Sequence, residues 1–150
     1  MTYSTCIVAL CYAFLIEAGH PEKKLEPRRA VCVDVAKEAD SQGVDPLLAI
    51  SVANVEGGFR RRIKSSAGAL GPMQVIPRFW CKKTPCDLIK AGVYALRTYT
   101  KLYGESEGLC RYVSGRRCSG AKSRQRYRDK VLRFKKMAAD IHMRICVNGC

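Results

Sequence analysis

The sequence predicts a single, mainly α domain. Three observations carry that prediction. The 150 residues fit one domain by size. The composition, 47% hydrophobic and 27% charged, is that of a globular chain with a core to bury. Apolar residues recur at three- and four-residue steps, and no stretch alternates as a half-buried strand would.

The elements follow in order. Thr5 to Ile16 is continuously apolar but short for a membrane span. It suits a signal-peptide core without the preceding basic residues, a weak membrane anchor, or a core helix. Pro21 to Pro27 reads as a polar linker, so residues 1–29 form a first unit. A helix is predicted from Ala30 to Gln42, with Val31, Val35 and Ala39 on one face and Gly43 closing it. Asp45 and Pro46 are an N-cap and first-turn pair. The helix they start runs to Glu56, is apolar nearly all round, and stops at Gly57-Gly58. Ile63 to Pro77 is rich in Gly, Ser and Pro and reads as loop. Leu88 to Tyr103 is helical, and Ser106 is placed to cap a short helix ending near Tyr112. The last helix starts near Ser123, with Tyr127, Val131, Phe134, Ala138, Ile141 and Ile145 as its apolar stripe. Residues 30–137 are taken as the main domain and 138–150 as the helix end with a cysteine-containing tail.

Charge and cysteine are the outliers. The formal net charge of +14 points to a polyanionic partner: nucleic acid, an anionic membrane or the bacterial cell wall. The excess is uneven. Residues 1–100 hold 14 basic and 9 acidic residues, and residues 101–150 hold 13 and 4. The nine cysteines show no C-x2-C spacing, and His20 and His142 complete no zinc motif, so no metal is expected. Disulfides in an oxidising compartment are the better reading. Cys81–Cys86 and Cys110–Cys118 are predicted as local loops, while Cys6, Cys11 and Cys32 read as small buried hydrophobes.

One residue is a candidate for chemistry. Glu56 ends an apolar helix: by position alone it either reaches solvent from the helix end, or lies in apolar surroundings that favour the neutral carboxyl, which is what a general acid near neutral pH needs. From Glu56 the chain reads E-G-G-F-R-R-R-I-K-S-S-A-G-A-L-G-P-M-Q-V-I-P. Glu56, Phe59, Ser65, Gly68, Ala69, Gly71, Met73, Gln74 and Pro77 fall in the register of one catalytic segment. That segment resembles the soluble lytic transglycosylase (SLT) family of the lysozyme-like superfamily. Ile89, Gly92 and Leu96, then Tyr112-Val113-Ser114-Gly115, then Tyr127 and Val131, extend the resemblance over Ala30 to Met137. Gly57 stands where the family usually has Ser, Val113 where it has Asn, and Lys90 where Asn is common.

The resemblance implies a lysozyme-like domain that cleaves peptidoglycan between N-acetylmuramic acid and N-acetylglucosamine. Glu56 would be the single catalytic residue. Ser65, Gly68, Ala69, Met73, Gln74 and Tyr112 would bind substrate, with no cofactor. A two-carboxylate glycosidase sets its acids about 5 Å or roughly 6.5–9.5 Å apart. Here the next acids after Glu56 are Asp87, then Glu105 and Glu107, none in a matched motif, and this fits a one-acid reaction giving 1,6-anhydromuramyl products. The alternatives are lysozyme-type hydrolysis of the same bond, and a noncatalytic nucleic-acid-binding module using the basic run from Arg116 to Lys136. That run carries no specific nucleic-acid motif. Partners expected beyond peptidoglycan are a membrane surface through residues 5–16, and a phage particle or a secretion or conjugation machine. The expected location is the periplasm or cell envelope, or a virion.

Overall fold

A computed structural model describes residues 3–147, with side chains through Ile145. The order is α1 (Tyr3–Glu17), a 3-10 turn (Glu22–Lys24), α2 (Leu25–Ser41), α3 (Pro46–Gly57), α4 (Pro77–Trp80), α5 (Leu88–Tyr103), α6 (Glu105–Ser114) and α7 (Lys122–Val147). Among the described residues there is no strand; Lys64–Leu70 and Leu70–Val75 form isolated bridges within the loop between α3 and α4.

The middle of the fold is α3. Its start is fixed by Asp45, whose side chain accepts a hydrogen bond from the Leu47 N–H at 2.9 Å, and by Pro46 in the first turn. Its end is fixed by Gly58 in the left-handed region at φ 56°. Leu48, Ala49, Ile50, Ser51, Val52 and Ala53 are all buried. Ser51 is the buried polar member and donates its hydroxyl to the Leu47 carbonyl at 2.7 Å. Helices α2 and α7 pack against α3. The α7 stripe is used as the sequence predicts: Val131, Ala138 and Ile141 are buried, and Tyr127, Phe134 and Ile145 pack against the core. The opposite side of α7, including Arg126, Lys130, Arg133 and Lys136, faces solvent. Lys135 ties three helices together, donating to Glu105 at 2.6 Å and standing 3.4 Å from Asp45.

The core does not begin at residue 30. In α1, Ile7, Leu10, Phe14 and Leu15 are buried against α2 and α7, and Phe14 meets Phe59 edge-on at 6.1 Å. Most of the large apolar side chains that an anchor through residues 5–16 would present to lipid, Ile7, Leu10, Phe14 and Leu15, are spent in this core, while Tyr12 and Ile16 are exposed. No described helix is long and apolar enough to cross a membrane.

Several local expectations are corrected. The segment read as a linker holds a 3-10 turn and the first residues of α2, which starts at Leu25. Pro27 is tolerated because first-turn N–H groups have no helical partner to lose. The segment read as loop extends to Pro77, where α4 begins. Helix α6 begins at Glu105 after Gly104, so Ser106 lies inside it rather than capping it. The disulfides Cys81–Cys86 and Cys110–Cys118 are formed as predicted. Cys11 and Cys32 are buried but also joined, with Cα atoms 5.8 Å apart across the α1–α2 contact, and Cys6 too is disulfide-bonded. Only the helix packing brings residues 11 and 32 together, so spacing alone gave no sign of the bond. Cys150 and the side chain of Cys146 lie outside the described residues.

One packing contact fixes the loop after α3. A Cβ on Gly92 of α5 would lie 2.3 Å from the Cβ of Met73, which is fully buried. In an unconstrained helix interior, alanine is favoured over glycine by about 1 kcal/mol. Here the sign reverses: Gly92→Ala is expected to destabilise by roughly 1–3 kcal/mol, since the Met73 backbone must move. A urea titration checks this, and a stabilised variant would show that Met73 is not pinned.

Candidate active site

Glu56 sits at the C-terminal end of α3, partly buried. Its carboxylate Oε1 accepts a hydrogen bond at 2.8 Å from the hydroxyl of Tyr127, in the first turns of α7. Burial pushes the Glu56 carboxyl up from 4.5 to about 7, the Tyr127 hydrogen bond acting in the opposite direction. Tyr127 and Tyr112 are themselves held well above the usual tyrosine value, first by burial and then by the Glu56 charge. Both therefore remain protonated donors at neutral pH. The site thus combines a carboxyl poised between its two forms with a neutral donor aimed at it.

The loop from Gly57 to Gln74 is docked onto this helix end. A Cβ on Gly57 would fall 2.7 Å from the Pro72 carbonyl oxygen and 2.9 Å from its Cα. Glycine at 57, the last residue of α3, is thus a steric requirement of this docking, and a serine there would meet the Pro72 backbone. Residues 70–75 close a tight hairpin: Leu70 N–H donates to Val75 O at 2.8 Å and Val75 N–H to Leu70 O at 3.1 Å. The Tyr112 hydroxyl, from α6, donates to the Met73 carbonyl at 2.5 Å and clamps the hairpin beside Glu56.

The residues predicted to bind substrate take distinct places. Met73 is a buried anchor under the hairpin, and Tyr112 is the clamp. Gln74 has φ 51° and donates its amide to Gly71 O at 3.0 Å and Ile63 O at 3.4 Å, so it staples the hairpin. Ser65 accepts the Ala69 N–H on its hydroxyl at 3.0 Å and exchanges backbone bonds with Ala69 and Gly68. Gly68, at φ 86°, supplies the left-handed residue of that turn, with open space where a side chain would be. The structure gathers Glu56, Met73, Tyr112 and Tyr127 directly; Ser65, Gly68, Ala69 and Gln74 shape the loop, and their hydrogen bonds do not reach Glu56.

Tyr127 is the residue that spacing treated as part of a core stripe. Its signal was available, since a tyrosine hydroxyl on an apolar face needs a partner. A second addition is His20. Arg28 can only donate, so at 2.6 Å it makes Nδ1 the acceptor, and Nε2–H donates to Asn54 Oδ1 at 2.6 Å, two residues before Glu56. Burial holds His20 below its ordinary value despite the Asn54 bond. Phe59, at φ 58° and buried, packs between His20 and Phe14 and seats the start of the loop.

The next three acids in the chain after Glu56 are committed elsewhere. Asp87 caps α5 by accepting the Lys90 N–H at 3.0 Å, Glu105 pairs with Lys135, and Glu107 accepts the Cys118 N–H at 3.1 Å. Among the described residues no cluster of His, Cys, Asp or Glu converges as metal ligands would.

The raised Glu56 value has a thermodynamic consequence. Between about pH 4.5 and 7 the folded chain holds a proton that the unfolded chain releases. Stability therefore falls as pH rises through that window, by an amount on the order of 2 kcal/mol. Glu56→Gln, a neutral near-isostere, is expected to be more stable than wild type at pH 8 and nearly equal to it at pH 4.5. Urea midpoints at the two pH values check this, and an equal difference at both would contradict the burial of the carboxyl.

A family model for the transglycosylase SLT domain matches residues 34–133, two thirds of the chain. No curated protein matches the chain, and no solved structure matches it. The matched span runs from within α2 to within α7 and includes Glu56, the docked hairpin, Tyr112 and Tyr127. The chain belongs to the SLT transglycosylase domain family, lysozyme-like and mainly α, whose activity is of the lytic transglycosylase type on peptidoglycan.

Proposed function

We propose that Glu56 is the single acid and base of a reaction that cleaves the β-1,4 bond between N-acetylmuramic acid and N-acetylglucosamine and leaves a 1,6-anhydromuramyl end. The observation that carries this reading is a carboxyl raised to about 7, with its hydrogen-bond donor a tyrosine. The commitment of Asp87, Glu105 and Glu107 to caps and ion pairs supports a one-acid route.

Protonated Glu56 gives its proton to the glycosidic oxygen as the bond from C1 to that oxygen breaks. The acetamido group of the muramyl sugar stabilises the cation left at C1, a substrate-assisted route. Glu56, now a carboxylate held by Tyr127, takes the proton of the muramyl C6 hydroxyl. The C6 oxygen closes on C1, the ring is complete, and no water is consumed. Ser65, Gly68 and Ala69 present the turn backbone at the rim of the site. Gln74, Met73 and Tyr112 fix the hairpin that walls it, and through it the sugar's position. The three described disulfides support an oxidising, extracytoplasmic place of action.

Incubation with purified peptidoglycan and mass analysis tests the reading: anhydromuropeptides are expected, and reducing ends would mean lysozyme-type hydrolysis instead. Glu56→Gln is expected to lower turnover roughly 10²–10⁴-fold; equal product from the variant would remove Glu56 from the chemistry. The acid form does the first step, so kcat/KM is expected to fall as pH rises through about 7. Tyr127→Phe deletes the bond that lowers Glu56 and is expected to move that limb to higher pH. A limb unchanged in position would show that Tyr127 does not act on Glu56.

A further inference from the structure

Outside the Glu56 site, a groove of about 500 Å³ lies between the loop after α4 and the start of α5. Its walls include Trp80, Tyr94, Lys82, Lys83 and Lys90, and none of the Glu56, Met73, Tyr112 or Tyr127 side chains. The Trp80 and Tyr94 rings stand 6.1 Å apart at 69°, forming a corner. Trp80 is set against Tyr99 at 5.6 Å, while Tyr94 is 43% exposed at the groove surface. Lys82 lies 5.9 Å from the centre of the Tyr94 ring, and all three lysines are exposed. The loop that carries Lys82 and Lys83 is closed by the Cys81–Cys86 disulfide, with Cα atoms 5.6 Å apart. Asp87, the acid of the groove, is occupied in capping α5.

We infer that this groove is a second, noncatalytic binding site for an anionic glycan strand, with sugar rings against the Trp80–Tyr94 corner and carboxylates at Lys82, Lys83 and Lys90. Two aromatic faces with a few placed polar groups in a concavity are the ordinary make-up of a ligand site. An aromatic wall covers the apolar C–H face of a pyranose, and the lysines supply point charges that long, mobile carboxylates can reach. The disulfide keeps the lysine-bearing loop ordered before binding, which lowers the entropy cost of association. Successive nucleic-acid bases call for parallel stacking platforms, and a corner at 69° does not offer one. The assignment of a wall glycan, rather than another polyanion, rests on the proposed function. Such a site would hold the chain on an insoluble mesh while Glu56 works on a neighbouring stretch.

The protein has one tryptophan, so Trp80 is its own reporter. The full chain carrying Glu56→Gln is titrated with soluble oligomers of N-acetylglucosaminyl-N-acetylmuramyl peptide, reading Trp80 emission. A saturable change is expected. In the pair Lys82→Ala and Lys83→Ala, both at exposed positions that folding does not need, Kd is expected to rise roughly tenfold. Uncharged N-acetylglucosamine oligomers of equal length should bind at least as weakly. Unchanged emission, an unchanged Kd in the double variant, equal binding of the uncharged oligomers, or tighter binding of a single-stranded oligonucleotide would each overturn the inference. The two readings fail separately. Wild type that releases no fragments from peptidoglycan ends the proposed function, whereas wild type that cleaves the wall with the Lys82 and Lys83 pair making no difference ends the second site alone.

Discussion

Placing a carboxyl group at the end of an apolar helix costs free energy unless the group stays neutral or is met by donors. Much of this fold can be traced to that constraint at Glu56. Six successive α3 residues, Leu48 to Ala53, are buried, so the helix presents its last turn to a site already screened from water. Tyr127 supplies a neutral hydroxyl rather than a cation, which leaves the carboxyl near 7 instead of pulling it into the usual carboxylate range. Both tyrosines keep their protons for the same reason that Glu56 does.

The loop after α3 is held more tightly than its Gly- and Ser-rich composition suggests. Two non-glycine residues, Phe59 and Gln74, adopt left-handed backbone conformations, each costing about 1–2 kcal/mol. Both are retained by local structure. Phe59 is buried between Phe14 and His20, and Gln74 is stapled across its own hairpin. Strain of this kind collects where geometry is fixed by function. Here it lies at the start and at the far end of the segment that walls the Glu56 site. Glycines 57 and 92 complete the arrangement from outside, admitting the Pro72 backbone and the Met73 stem where any larger residue would push them away.

Helix periodicity was the legible part of the fold, because a 3.6-residue repeat is a local property. The α3 start at Asp45-Pro46 and its end at Gly58 were readable from capping chemistry, and so was the buried face of α7. Boundaries went astray where a residue has two uses. Pro27 can break a helix or sit in its first turn, and Ser106 can cap a helix or lie one residue inside it. The α1 segment has the composition of several kinds of apolar segment, and its burial against α2 and α7 is a property of packing. The Cys11–Cys32 bond belongs to the same category, since its partners are 21 residues apart in the chain and meet only across a helix pair.

The sequence by itself determined the helices α2, α3, α5, α6 and α7, the acid scarcity and the register from Glu56 to Gln74, each readable from residue type and spacing. It placed Glu56 at the end of a run of almost entirely apolar residues, but whether the carboxyl reaches solvent or is buried was left to the packing. Tertiary structure decided which groups meet that carboxyl. Tyr127 is 71 residues away and reaches it only because α7 crosses α3. Tyr112, 39 residues from Met73, reaches the hairpin only because α6 folds back on α5 and α7. Tertiary structure likewise made Gly57 a steric necessity, and gathered three lysines and two aromatic rings into a groove of their own. Spacing encodes what neighbours along a helix share; it carries no record of which distant surfaces come to face one another.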